Sequence, residues 1–166
     1  MNFQSALAQV RDLPAGDYAE CGVWQGYSAE HIAETIPEGA TFYLFDSFQG
    51  HEEPGEFDHA GAHPKGRYAD TSIERVAARI PSAVIIPGFL PGTLARVADC
   101  RFRFVNVDVD HYLPTKAVIE FFKPRMVKGG IMRFDDSGSS DCPGATKAVE
   151  ETIGCPGGCE FYVREV

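Results

Sequence analysis

Short runs of β-branched and aromatic residues alternate with helix-spaced runs along the chain, and nearly every β-rich run stops at a glycine or an acid. Asp17–Val23 reads as a strand that reaches Gly22, and Ser28–Thr35 as the helix after it. Thr41–Phe45 is a second strand, stopping at Asp46; Ile73, Val76, Ala77 and Ile80 give Thr71–Ile80 the period of an amphipathic helix. Further strands are expected at Ala83–Ile86, Phe102–Val107, Gly130–Phe134 and Glu160–Arg164, with helices at Gly92–Val97, Pro114–Phe122 and Gly144–Ile153. Pro114 suits a first helical turn. This alternation implies an α/β, doubly wound, mostly parallel sheet covered by helices on both faces.

One stretch interrupts the pattern. Gln49–Asp70 is rich in Gly, Pro, His and acids and has no period. Loops of that length are uncommon in compact domains and are often lids over a site. At 166 residues, one domain spanning 1–166 with a lid-like loop at about 49–70 is the expectation.

Charge narrows the partners. Asp and Glu number 24 against 15 Lys and Arg, a net charge of −9 at pH 7, which disfavours nucleic acid and anionic membrane. No apolar run approaches the roughly 20 residues of a membrane-spanning helix. The N-terminal MNFQSALAQVRDLPAGD lacks the charged-then-apolar pattern of a signal peptide, and five cysteines are an odd number. A reduced, cytoplasmic setting is therefore expected. Cys155 and Cys159 are close in sequence, but two sulfurs do not make a tetrahedral metal site, and a third from Cys142 would need the fold to bring it there.

In such sheets ligands bind beyond the carboxyl ends of the strands, near the point where strand order reverses. Every predicted strand but the last delivers polar residues or glycine to that rim: Glu20 to Gly26, Asp46-Ser47-Phe48, Gly88-Phe89, Asp108 to Tyr112, and Asp135-Asp136-Ser137. Gly22 and Gly26 form a turn that lets backbone approach a ligand, although it is not the GxGxxG of a dinucleotide site. Asp46 lies 24 residues beyond Gly22, a spacing like that of the acid holding ribose hydroxyls in nucleoside-binding α/β proteins; a helix N-cap is the plainer alternative. Trp24 could stack on a ligand or simply pack.

The acids form the sharper constellation. Asp108, Asp110, Asp135 and Asp136 follow apolar strands expected to lie side by side. Carboxylates so close repel and raise one another's pKa unless a cation intervenes, and their hard oxygens suit Mg²⁺, Mn²⁺ or Ca²⁺. Capping, or pairing with Arg101, Arg103 or Arg133, is the alternative for Asp110 and Asp136. His31 reads as structural, and His51, His59 and His63 as solvated loop residues. His111, beside the acids, could act as a base or touch substrate.

Taken in order, these residues resemble the macrocin O-methyltransferase (TylF-type) family over about Gly16 to Glu151. Ala19-Glu-Cys-Gly-Val-Trp-Gln-Gly26 is similar to its AECGVxxG turn, Phe45-Asp-Ser-Phe48 to its FDSF element, and Gly88-Phe89 with Thr93-Leu94 to its GxFxxTL stretch. Asp108-Val-Asp110-His-Tyr112 is like DxDxY, Gly129 to Asp136 resembles GGxxxxDD, and Gly144-Ala145 with Ala148-Val149 matches the start of the next helix. The resemblance implies a Rossmann-like, three-layer class I fold and S-adenosylmethionine as methyl donor. It implies a cofactor site from Glu20, Gly22, Val23, Trp24, Gly26, Asp46, Ser47, Phe48, Gly88, Phe89 and Asp108, with Asp46 on the ribose. It also implies Mg²⁺, or another divalent cation, on Asp108, Asp135 and Asp136, with the acceptor hydroxyl coordinated to it. Asp108 is then the first candidate for general base and His111 the second.

Departures from the pattern are Pro114 in place of a Ser, Ser137 in place of an aromatic, and only about 15 residues ahead of the sheet. Either the 49–70 loop and a homodimeric partner cover the site, or the acceptor is exposed. The expected reaction is methyl transfer to a hydroxyl of a sugar or natural product. A glycosyltransferase using Asp108-Val-Asp110 as a DxD motif is an alternative that leaves the Glu20–Gly26 turn unused. A cofactor-binding protein without turnover is another.

Overall fold

A computed structural model describes residues 1–165. It contains a six-stranded sheet in the order β3-β2-β1-β4-β5-β6, with β1 at Asp17–Cys21, β2 at Phe42–Asp46, β3 at Val84–Pro87, β4 at Phe102–Val107, β5 at Met126–Phe134 and β6 at Phe161–Val163. Strands β1 to β5 are parallel and β6 runs antiparallel beside β5. All five parallel strands therefore end on one rim, and strand order reverses between β1 and β4, as the doubly wound reading requires.

Helices α1 (Phe3–Arg11), α2 (Tyr27–Ala33) and α3 (Ile73–Arg79) cover one face, and α4 (Tyr112–Phe122) and α5 (Pro143–Ile153) the other. Each face has its own apolar cluster. One joins Ala6, Leu7 and Val10 of α1 to Ile32, Val76, Leu44 and Phe104; the other joins Val118, Ile119 and Phe122 of α4 to Ala19, Phe45, Val105 and Val149. Along β1, Tyr18 faces the first cluster while Ala19 and Cys21 face the second, the period of two that a strand imposes. In β4 the register shift between Phe102 and Phe104 breaks that alternation, so that Phe102 joins the second cluster and Phe104 the first.

Three elements differ from the sequence reading. Helix α1 was not expected, although Phe3, Ala6, Leu7 and Val10 have the spacing of one buried helical stripe and Asn2 with Ser5 forms a capping box. Its C-terminal end is held by buried Arg103, whose Nε donates to the Gly16 carbonyl and Nη1 to that of Arg11. The helix expected at Gly92–Val97 is a single 3₁₀ turn, Leu94–Val97. The fifth strand begins at Met126, four residues earlier than the Gly130 start. No helix among the described residues is long and apolar enough to cross a membrane.

Candidate active site

A cavity of about 460 Å³ opens where strand order reverses, within the roughly 300–1,000 Å³ usual for small-molecule sites. Gly22, Val23 and Trp24 line it after β1, Asp46 and Ser47 after β2, Gly88 and Phe89 after β3, Asp108 to His111 after β4, and Asp135 and Asp136 after β5. Loop residues His51, Asp58 and Tyr68 close another side. Gly22 is dictated by this convergence: its φ is +84°, and a β-carbon there would lie 1.6 Å from the Asp108 carbonyl oxygen. The β1 turn and the end of β4 can approach so closely only without a side chain.

Three residues expected in the cofactor site stand behind the lining. Gly26, in left-handed conformation, caps α2 and packs against Arg79 and Ile80. Phe48 turns into the apolar cluster beneath the rim. Glu20 is fully buried on β1, where it accepts a 2.7 Å hydrogen bond from Asn106 Nδ2. Asn106 in turn accepts from Arg133 Nη1 at 3.1 Å, and the Arg133 guanidinium pairs with Asp135. Glu20, Asn106 and Arg133 are register neighbours on β1, β4 and β5, so a polar ladder crosses the sheet to the acid rim. Burial pushes Glu20 up to about 7 against the opposing bond from Asn106 and the charge of Arg133.

Asp46 serves a task that its spacing did not disclose. Its Oδ2 accepts from the backbone N–H groups of Val23 and Trp24, both at 2.8 Å, and its Oδ1 from Phe48 N at 2.7 Å. It caps no helix; it builds the β1 turn. An ionised carboxylate has about four acceptor directions, so one stays open to the cavity.

Asp108, Asp135 and Asp136 each bring a carboxylate oxygen within 4.8 Å of the other two. Burial, followed by the charges of Asp136 and Asp135, pushes Asp108 well above the carboxylate range. Burial and the Asp110 charge push Asp136 up to about 7. Among these three acids, Arg133 on Asp135 is the cation in ion-pair contact. Three converging hard oxygens short of positive charge are a donor set that fits a hard divalent cation.

A family model for a methyltransferase domain matches residues 19–137. The chain belongs to this methyltransferase family. Over 158 residues it is 27% identical to the 8-demethyl-8-(2,3-dimethoxy-alpha-L-rhamnosyl)-tetracenomycin-C 4'-O-methyltransferase of Streptomyces olivaceus, matching 85% of this chain and spanning 60% of that enzyme's length. The fold is similar to that of CalS11, a calicheamicin methyltransferase, at a TM-score of 0.80 and 25% identity over 91% of this chain and 68% of CalS11. It is also similar in fold to the O-methyltransferase NovP, with a TM-score of 0.77 and 22% identity over 98% of this chain and 79% of NovP.

The methyltransferase domain carries its loop folded over the cavity. His51 N donates to the Arg67 carbonyl at 3.0 Å and Gly66 N to that of His51 at 2.9 Å, which ties the two ends of the loop together. Asp58 Oδ1 accepts from Tyr112 N at 2.7 Å, and the Phe57 ring packs on Tyr112 with centroids 4.8 Å apart. Trp24 is committed to the loop's far end: its Nε1 donates to Asp70 Oδ1 at 2.7 Å, and its ring meets those of Tyr27 and Tyr68.

Two loop histidines expected in solvent lie inside the methyltransferase domain. His63 is buried and His51 half-buried, whereas His59 and His31 are exposed. His51 Nε2 lies 3.0 Å from Asp110 Oδ2, and His63 Nδ1 lies 3.1 Å from Asp110 Oδ1. Burial alone would raise Asp110; the His51 contact and the His63 and His51 charges outweigh it and hold the carboxyl below its ordinary value. Cys142 completes this group, buried at the start of α5, its Sγ 3.3 Å from His63 Nε2 and 3.5 Å from Asp110 Oδ1. It therefore lies with Asp110 and Asp136 rather than with Cys155 and Cys159, and all five thiols are free. His51 and His63 carried no periodic signal, since each reaches its partners only through the loop's tertiary path. Finally, buried His111 lines the cavity, and its Nε2 lies 3.0 Å from the His63 carbonyl oxygen. A carbonyl only accepts, so that bond places the ring proton on Nε2 and leaves Nδ1 as an acceptor.

Proposed function

We propose that this domain transfers a methyl group from S-adenosylmethionine to a hydroxyl of a sugar, a 6-deoxyhexose in particular, with a hard divalent cation at the rim. The observation that carries this reading is the joining of the Asp46-built turn and the Asp108–Asp135–Asp136 cluster in one cavity. The deoxysugar follows the relatives' names, one acting on a rhamnosyl group and CalS11 described in its apo form as a TDP-rhamnose 3'-O-methyltransferase.

In this scheme the Val23–Trp24 turn, held rigid by Asp46, cradles the donor, and the open direction of Asp46 takes a ribose hydroxyl. Asp108, Asp135 and Asp136 hold the cation, which when bound makes a nearby hydroxyl more acidic and fixes its position. With Asp108 committed there, His111 is the better base, because Nδ1 is the nitrogen left as acceptor. When bound, S-adenosylmethionine would supply the methyl group, its sulfur keeping the electron pair of the broken carbon–sulfur bond, and His111 Nδ1 would take the proton of the attacking hydroxyl. Exposed Trp24, Phe89 and Leu113 ring the mouth and suit an acceptor with apolar bulk beyond its sugar.

Calorimetric titration with S-adenosylhomocysteine, with and without Mg²⁺, tests the donor site. Methyl-transfer assays on a nucleotide-linked and an aglycone-linked rhamnose, before and after chelation, test the rest. Micromolar binding with Mg²⁺-restored turnover on either acceptor is expected. No binding in either condition would sink the proposal, and binding without turnover on either acceptor would favour the non-catalytic alternative.

A further inference from the structure

The methyl-transfer scheme leaves unused the group formed by His51, His63, Asp110 and Cys142. We propose that His51, His63 and Asp110 form a second metal site, for a borderline divalent ion such as Zn²⁺, that clamps the 49–70 loop onto the end of the sheet. One ligand atom from each of the three lies within 4.8 Å of the others. Two imidazoles and one carboxylate are a zinc-type donor set, chemically distinct from the three carboxylates next to it.

Geometry separates this group from an ordinary hydrogen-bonded network. His63 Nδ1 is buried and 3.1 Å from Asp110 Oδ1, yet it has no hydrogen-bond partner among the described residues. A hydrogen bond needs the N–H directed at the acceptor. Nitrogen and oxygen held this close without such a bond are disposed like ligands that converge on a common point. Zinc–nitrogen and zinc–oxygen bonds near 2.0–2.2 Å set neighbouring ligands roughly 3.3 Å apart in a tetrahedron; His51 Nε2 lies 3.0 Å from Asp110 Oδ2 and His63 Nδ1 3.1 Å from Asp110 Oδ1, one imidazole on each carboxylate oxygen.

The surroundings of His63 match those of a metal-bound histidine as well. Such a ring usually donates its other N–H to an acceptor that fixes its orientation. His63 has that partner in Cys142 Sγ, 3.3 Å from Nε2. Asp110 is fixed from behind, its own N–H donating to Asp136 Oδ2 at 2.9 Å, with its φ of +59° setting the carboxylate's direction. His51 and Asp110 line the cavity while His63 does not, so an ion on all three would leave its open position toward the cavity. Two of the three ligands belong to the loop and the third to the turn after β4, so occupancy couples loop closure to the sheet.

The test uses the whole chain with Cys155→Ser and Cys159→Ser, in excess Mg²⁺ to fill the acid cluster. Zn²⁺ is added and followed by calorimetry, X-ray absorption at the zinc edge, and amide hydrogen exchange over the loop. One equivalent of Zn²⁺ is expected, with imidazole scattering, no sulfur in the first shell, and slowed exchange in the loop. His51→Ala, where the side chain is 13% exposed, and His63→Gln should each weaken Zn²⁺ at least 100-fold and leave S-adenosylhomocysteine binding within a few-fold. No Zn²⁺ uptake in excess Mg²⁺, sulfur ligation, unaltered affinity in both variants, or unchanged loop exchange would each overturn the proposal. None of these readouts depends on methyl transfer, so failure here is distinct from failure of the enzymatic reading.

Discussion

A β-carbon on Gly144 would sit 1.9 Å from Asp58 Oδ1, so the start of α5 is bare where the loop docks against it. The same oxygen accepts the Tyr112 N–H that begins α4, and one aspartate thereby fastens the loop to two helix starts. Gly144→Ala should expel Asp58 and loosen the loop while the sheet stays folded. A hydrogen bond to a charged group contributes about 1.5–3 kcal/mol, so the acceptor KM should rise roughly 10–100-fold. Hydrogen exchange should quicken over the loop and stay unchanged in β1 and β4. An unchanged KM with unchanged exchange would mean that Asp58 does not hold the loop.

His111→Ala removes a cavity-lining imidazole whose bond to the His63 carbonyl leaves Nδ1 as the acceptor. Loss of a general base should lower kcat by about 10²–10⁴-fold. S-adenosylhomocysteine affinity should change little, since His111 touches neither the Asp46 turn nor its backbone donors. If kcat falls by less than about tenfold, proton removal is done elsewhere, and Asp108, the other candidate base, is the next carboxylate to substitute.

The strands and the rim could be read from sequence because both rest on local pattern: apolar runs of strand length, each stopped by a glycine or an acid. Asp108, Asp135 and Asp136 were legible for the same reason, since parallel strands in sequential β–α units must end together. Helix α1 was equally legible from the spacing of Phe3, Ala6, Leu7 and Val10. His51, His63 and Cys142 were not legible. They meet Asp110 through a loop without periodicity and across 79 residues of chain between His63 and Cys142. Glu20, next to last in β1, is fully buried, and its partner Asn106 is visible only once β1 and β4 are paired.

Asp46→Asn separates the construction of the donor turn from direct contact with the donor. The carboxylate accepts three backbone N–H groups, and an amide nitrogen cannot accept any of those it would face. At least one charge-assisted bond of about 1.5–3 kcal/mol is lost, so S-adenosylhomocysteine binding should weaken at least roughly tenfold. Adenosine, which presents ribose but no methionine, should weaken in parallel if the open direction of Asp46 holds a ribose hydroxyl. Calorimetry on both ligands checks this. Unchanged affinity for adenosine beside weakened S-adenosylhomocysteine would confine Asp46 to building the turn.

Glu20 sets a pH dependence whose sign can be worked out. Its carboxyl is raised by burial from 4.5 to about 7, and its Oε2 has no hydrogen-bond partner among the described residues. Between those values the folded state holds a proton that the unfolded chain has released, so stability falls as pH rises through the window and the loss is complete above about 7. At about 1.4 kcal/mol per pH unit, the full effect is on the order of 3 kcal/mol. Glu20→Gln keeps an oxygen for Asn106 and carries no charge. It should match the parent near pH 4.5 and exceed it above about 7. Urea unfolding in chelator at about pH 5 and about pH 8 measures both limits. Asp136, raised with the same sign, leaves a residual slope in both proteins, so the decisive quantity is the difference between them. A difference that does not grow with pH would mean that Glu20 ionises in the folded protein as readily as in the unfolded chain.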